Sequence, residues 1–485
     1  MKAIKYVVMG VLMLGMSTSV MAQEAELNAA IAAIKSKAPN AAELIKTAQK
    51  KNKKDPNALV TLGRALYEAK DTAQARVCAN MANEAVKPKF SFAPAYLLLG
   101  DIESLGDDGG KAASFYNQAI HFNPKDPQGY KKWAMVYRKI SPTQAEQKLK
   151  EMEQNCPNED ANAMIGHIYM LSYNSSKSSK DEKAAYDAFK KADIRKFDKT
   201  YLNEFARASY FTNHYDDALA ACEAGLKLEP RNPTFVRLSM FANYEKGDFE
   251  KARPFIHRYF HETDSAKISE YDHYYTALIY KAIKDKEKAY EHYAKALDLV
   301  NDSSMIKRWD IFKGISDSYM SDSNYVKAIE NYRQYINSKP NVAASDYAGL
   351  ASLYRKQANA IDEKYNNEEA KAAMLNADKS YEELGNRFKE QLDFANYMRA
   401  NVNSSLDPTQ KMGLAKPFYE KVVEILEPKS DKDENELSRL KTSYHYLMSY
   451  YFIQKNDKAT AKEFANKILA IDPTFPQALQ IRDLK

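Results

Sequence analysis

Glycine is scarce in this chain, at 15 of 485 residues. So few glycines among many strong helix formers point to an all-α protein. Cysteine is almost missing too, with Cys78, Cys156 and Cys222 far apart. An odd count in an exported protein invites a disulfide, but Cys78 and Cys222 fall on helix packing faces, where a thiol acts as a small apolar group. These spacings predict idle or buried thiols. No excess of one charge is present either: 71 Lys and Arg face 65 Asp and Glu. That near-balance lacks the basic stripe that neutralises phosphates, which argues against nucleic acid as a partner.

Long apolar runs are also lacking. The longest, Tyr6 to Met16, is well short of the roughly 20 residues that span a bilayer. Lys2 and Lys5 precede it, and Val20-Met21-Ala22 follows with small residues at the positions a signal peptidase reads. Residues 1–22 therefore read as a secretory signal peptide, with cleavage expected between Ala22 and Gln23. No cysteine stands near that point, which argues against a lipid anchor. The mature chain is expected in the periplasm, with no integral membrane span.

What is abundant is a returning pattern. An alanine recurs at Ala75, Ala112, Ala145, Ala185, Ala218, Ala252, Ala289 and Ala328, and again at Ala377, Ala415 and Ala461. The intervals run from 33 residues (Ala112 to Ala145) to 49 (Ala328 to Ala377). Tyr116, Phe189, Tyr293, Tyr332, Tyr381 and Tyr419 each follow an anchor by four residues, which puts alanine and aromatic on one helix stripe. Leu62-Gly63, Leu99-Gly100 and Ile165-Gly166 mark a preceding helix. Lys246-Gly247-Asp248, Gly106-Asp107 and Lys455-Asn456-Asp457 mark turns, and Pro124, Pro157, Pro230, Pro340 and Pro473 close units.

A period in this range is the mark of a repeat array. Small residues let two antiparallel helices approach, aromatics fill the gap to the next pair, and no pair buries its apolar face alone. The pattern resembles the tetratricopeptide repeat. The resemblance implies an α-solenoid superhelix of antiparallel helix pairs, about eight recognisable units with irregular pairs at both ends. The expected organisation is a cap or degenerate repeat over 23–55, broken at Pro39-Asn40, a regular array over 56–342, and longer, irregular helices over 343–485. Asn174 to Lys180 reads as an inserted mobile loop. Pro254 and Pro417, early in second helices, predict local bends.

Catalytic and cofactor signals are weak throughout. Gly106-x₃-Gly110-Lys111 is one residue short of a phosphate loop, ends in Ala112, and follows a helix where a strand is required. His257 and His261 stand one turn apart but lack a motif that fixes a third metal ligand. No Gly-x-Ser-x-Gly setting or Cys–His pairing occurs. The chain reads as no enzyme, with no cofactor and no metal.

What can bind lies between the anchors. In tetratricopeptide repeats, set positions around the glycine of each first helix line a concave groove. The resemblance carries this role to Arg64, Tyr67, Lys131, Lys132, Arg138, Arg207, Tyr210, Arg237, Tyr244, Tyr274 and Tyr275. Tyr and Arg are frequent sources of interface energy. Val60 and Leu98 occupy places where the carboxylate clamp of co-chaperone domains needs Lys or Asn, so that clamp is not expected. The sequence thus suggests a non-enzymatic scaffold for a protein or peptide partner. The alternative is an envelope protein capturing glycans or nutrients, which the presence of only two tryptophans, Trp133 and Trp309, disfavours. Asp71-Thr72-Ala73 and Asp264-Ser265-Ala266 resemble short glycosylated turn sequences.

Overall fold

The computed structural model describes residues 23–106, 109–264 and 266–484. The expected signal peptide, Asp107 of the Gly106-Asp107 turn and Ser265 lie outside the described residues. Every regular element among the described residues is a helix. They form two compact units, one ending at Ala266 and the other beginning at Lys267.

The N-terminal unit opens with α1 (23–36) and α2 (Ala41–Lys51), on either side of Pro39-Asn40. Paired helices follow: α3 (Pro56–Glu68) with α4 (Thr72–Ala85), α5 (Ala93–Ser104) with α6 (Gly109–Phe122), and α7 (Pro127–Tyr137) with α8 (Pro142–Asn155). Next come α9 (Asn162–Ser176) with α10 (Ser179–Phe189), α11 (Lys199–Phe211) with α12 (Tyr215–Leu228), and α13 (Pro233–Glu245) with α14 (Phe249–His261).

Local chemistry explains where these helices begin. Asp55-Pro56, Asp126-Pro127, Ser141-Pro142 and Asn232-Pro233 each place a capping side chain before a proline at the first helical position. The cap accepts an orphan backbone N–H, and the proline lacks the N–H that would otherwise go unpaired. Turns inside pairs share a second device. Lys70, Asn213 and Gly247 sit at φ of 66°, 63° and 79°, and the next backbone N–H returns five residues, as from Asp71 to Leu66 (2.9 Å) and from Asp248 to Asn243 (2.8 Å). These are left-handed helix terminations that satisfy the last carbonyls.

Packing then follows the small residues. A Cβ built on Gly100 would lie 2.4 Å from the Tyr116 ring, and one on Gly166 would lie 2.7 Å from Phe189. In each pair the aromatic of the second helix occupies the space left on the first. First helices touch first helices of the following pair, α3 on α5, α5 on α7, α9 on α11 and α11 on α13. Second helices instead pack on the next pair's first helix, as α4 on α5 and α6 on α7. First helices therefore line the inner side of this unit's curve.

The C-terminal unit keeps the same plan with longer members. It runs through α15 (Glu270–Ala282), α16 (Lys286–Leu299), α17 (Arg308–Ser321) and α18 (Tyr325–Ser338). Helices α19 (Ala344–Ile361) and α20 (Glu368–Arg387) follow, with 18 and 20 residues. After them come α21 (Leu392–Leu406), α22 (Lys416–Leu426), α23 (Glu434–Ile453), α24 (Lys458–Ile471) and α25 (Pro476–Arg482). The left-handed turn recurs at Lys284, Ser323 and Asn456. Tyr332 lies against Gly349 of the next pair, and Ala328, Tyr335, Leu350, Ala377 and Tyr381 share one core with it.

Two expectations are corrected. Asn174 to Lys180 is not a loop: α9 runs through Ser176, and only Lys177 and Ser178 separate it from α10. Lys177 terminates α9 at φ 55°, and the Asp181 carboxylate accepts from the Ser172 and Ser176 hydroxyls, which ties the polar stretch into the helix end. Pro417 does not bend a helix, because α22 starts at Lys416 and the proline stands at its second position, where it costs no hydrogen bond. Pro254 falls sixth in α14, and that helix continues to His261. The three cysteines are free and buried.

Candidate functional site

The inner face of the N-terminal unit centres on Asp101, a carboxylate that is 5% exposed on α5. Burying such a group without partners costs several kcal/mol, so its neighbours are decisive. Lys132 of α7 approaches Oδ1 at 2.7 Å, and Arg64 of α3 approaches Oδ2 at 3.5 Å. The Tyr116 hydroxyl, from α6, donates to Oδ1 across 2.8 Å. Three consecutive first helices are thus tied through one carboxylate. Tyr67, one turn beyond Arg64 on α3, completes the cluster. Burial, and then the Asp101 charge, raise the hydroxyls of both Tyr67 and Tyr116, and Tyr116 is pushed well above the usual phenol range.

Three of the sequence candidates, Arg64, Tyr67 and Lys132, are therefore brought together. Arg64 and Lys132 are only partly consumed, since their side chains keep 42% and 33% exposure. Asp101 was missed, although it follows Gly100 as Arg64 follows Gly63. The positional rule that selects Arg64 also selects Asp101, and preference for cations and aromatics passed over it.

The remaining candidates are dispersed. Lys131 pairs with Glu159 at 2.6 Å. Arg138 caps the end of its own helix, donating to the Met135 carbonyl. Arg207 of α11 donates to the Asn174 side chain at 3.2 Å. It stands near a second polar node in which His167 of α9 lies 2.8 Å from the Glu204 carboxylate. Burial holds the nearby Glu182 carboxyl above its ordinary range, against the opposing pull of Tyr173 and Arg207. Arg237 lies over the Phe241 ring at 5.2 Å, and Tyr244 packs on Phe249 at 5.6 Å. In the C-terminal unit Tyr275 stacks on Tyr271 at 4.7 Å, and Tyr274 meets Tyr293 edge-on at 6.0 Å.

Tyr210 is a correction. It is buried, with its ring against Tyr215 and Phe241 at 5.8 and 6.3 Å, and belongs to the packing between helices. A ring large enough to bridge α11 to α12 and α13 contributes more by filling that space than by facing solvent. His257 and His261 are on the surface at the end of α14, and His257 pairs with Glu262 at 3.0 Å. Among the described residues no three His, Cys, Asp or Glu side chains are gathered as metal ligands.

A family profile described as tetratricopeptide repeat matches residues 442–475. That segment holds the second half of α23, the left-handed turn at Asn456, α24 and Pro473, the same build as the pairs above. Over those residues the helix pair matches a tetratricopeptide repeat. Its fold is similar to the C-terminal part of a tetratricopeptide repeat-containing protein from Cytophaga hutchinsonii, at 23% identity over 58% of this chain and 100% of that one, with a TM-score of 0.43. It is also similar to a tetratricopeptide repeat protein from Parabacteroides merdae, at 15% identity over 51% of this chain and 94% of that one, TM-score 0.30. A third is PilF from Pseudomonas aeruginosa, at 13% identity over 48% of this chain and 96% of that one, TM-score 0.31. No curated protein matches the sequence. Among the described residues no helix is long and apolar enough to cross a membrane.

Proposed function

We propose that this protein is a non-enzymatic scaffold of the bacterial periplasm that holds a protein or peptide partner on the first helices of its N-terminal unit. The observation that carries the reading is the Arg64–Asp101–Lys132 tie. It fixes two part-exposed cations from different repeats around one carboxylate, and each keeps donors for an acidic group on a partner. A stacked-pair architecture of this family serves interaction, and the basic-then-apolar stretch over residues 1–22 supports export.

The test is crosslinking in the native envelope followed by mass spectrometry, with wild type beside an Arg64→Gln, Lys132→Gln double variant. Partner crosslinks at α3–α7 that vanish in the double variant support the assignment. Crosslinks that persist at those helices sink it. Recovery of the chain in the cytoplasmic fraction with Met1 intact overturns the export reading.

A further inference from the structure

A second candidate site lies wholly inside the C-terminal unit. A cavity of about 420 Å³ opens between α18 and α20, over α19. Its floor is apolar and aromatic, with Tyr347, Leu350 and Tyr354 buried. Its rim carries Arg333 from α18 and Lys379 and Arg387 from α20, with Glu383 as the sole carboxylate among the lining residues.

The rim gathers its cations around one cavity. Nearby cations do find carboxylates, as Lys313 does in Asp317 and Lys371 in Glu368, at 2.6 and 2.7 Å. Here three cations surround one cavity and, among the described residues, none is ion-paired within 4 Å; Glu383 pairs with none of them. Lys379, Glu383 and Arg387 are spaced four apart, so they form a single stripe on α20. The two arginines are steadied from beneath: Arg333 lies over the Tyr354 ring at 5.5 Å and Arg387 over the Tyr347 ring at 5.4 Å. Arg333 also hydrogen-bonds the Tyr354 side chain, and a guanidinium with five N–H donors keeps others for a further group. Planar donors of this kind match the oxygens of phosphate and carboxylate.

We propose that this cavity binds a small organic polyanion through its phosphate or carboxylate groups. Arg333 and Arg387 grip the oxyanions, Lys379 adds charge, and the tyrosine floor accepts the apolar part of the ligand. The volume falls within the range of small-molecule sites, roughly 300–1,000 Å³. The site is independent of the first-helix face, and its failure leaves that reading untouched.

Calorimetric titration of the full mature chain at low salt tests it, with inorganic pyrophosphate in one arm and citrate in the other. At least one anion is expected to bind wild type, and the stronger arm names the preferred group. Arg333→Gln with Arg387→Gln should weaken that binding by roughly tenfold or more, whereas Glu383→Gln, which removes the opposing charge, should tighten it. Lys132→Gln, in the other unit, should leave it unchanged. Absence of binding in both arms overturns the proposal. So does an arginine double variant, folded by circular dichroism, that binds as wild type does, or a Glu383→Gln variant that binds more weakly.

Discussion

The hydroxyl of Tyr116 donates to Asp101 across 2.8 Å while its ring fills the space beside Gly100. One side chain of a second helix thus sets both the closeness of its pair and the position of the carboxylate beneath the inner face. Tyr116→Phe should keep the packing and remove the donor, costing about 1–2 kcal/mol because Asp101 stays buried with one partner fewer. Urea unfolding measures this. An unchanged midpoint would mean that Lys132 and Arg64 suffice to satisfy the carboxylate.

Overpacking the same pair makes a sharper test of helix register. Ala112 is fully buried, and a methyl on Gly100 would stand against the Tyr116 ring. Ala112→Leu and Gly100→Ala should each destabilise by about 1–3 kcal/mol. Neutral results in thermal melts of both variants would place these residues away from the helix interface.

Stability should fall in mild acid. His273 of α15 and His292 of α16 bring their Nδ1 atoms to 2.9 Å in the interior. Burial holds both imidazoles below their ordinary range, with Lys295 adding to the effect and, for His292, the facing His273. His292 is held down to about 4, against the weaker upward pull of Glu291. The unfolded chain takes protons near pH 6.5, while folded His292 resists them until near pH 4 and His273 is shifted in the same direction. The stabilisation is therefore present above 6.5 and is lost as pH falls between those values. Between pH 7 and 5 the loss from His292 should be roughly 2 kcal/mol. His292→Gln should flatten that slope in urea titrations; an equal slope would assign the acid sensitivity to other groups.

Lys284 ends α15 with φ at 63°, a conformation that costs a side-chain-bearing residue about 1 kcal/mol or more. Lys284→Gly should stabilise the C-terminal unit by about 1 kcal/mol. A drop in melting temperature would show that the lysine side chain contributes more than its backbone conformation costs.

Much of the fold was legible because packing here obeys short spacing rules. Ala112, Tyr116 and Gly100 declare their helix faces through intervals of four and through size. The turns were less legible: Gly247 and Asn456 advertised a left-handed residue, but Lys70, Lys284 and Ser323 adopt the same conformation without glycine or asparagine. Composition also misled at Asn174 to Lys180, where serines read as loop residues but cap and extend a helix. For the first-helix face, position identified Arg64 and Lys132, but residue-type preference hid Asp101. The Arg333–Arg387 cavity left no signal of its own, because its cations stand on α18 and α20 and meet only after α19 is packed between them.

The sharing of Asp101 by two neighbouring repeats has a mechanical consequence. An acidic partner that draws Lys132 or Arg64 toward itself competes with the tie that holds adjacent first helices together. Occupancy and repeat-to-repeat stiffness are then linked by a common free energy, and each must act on the other with equal strength. Grip on a ligand would soften the spring that presents the grip.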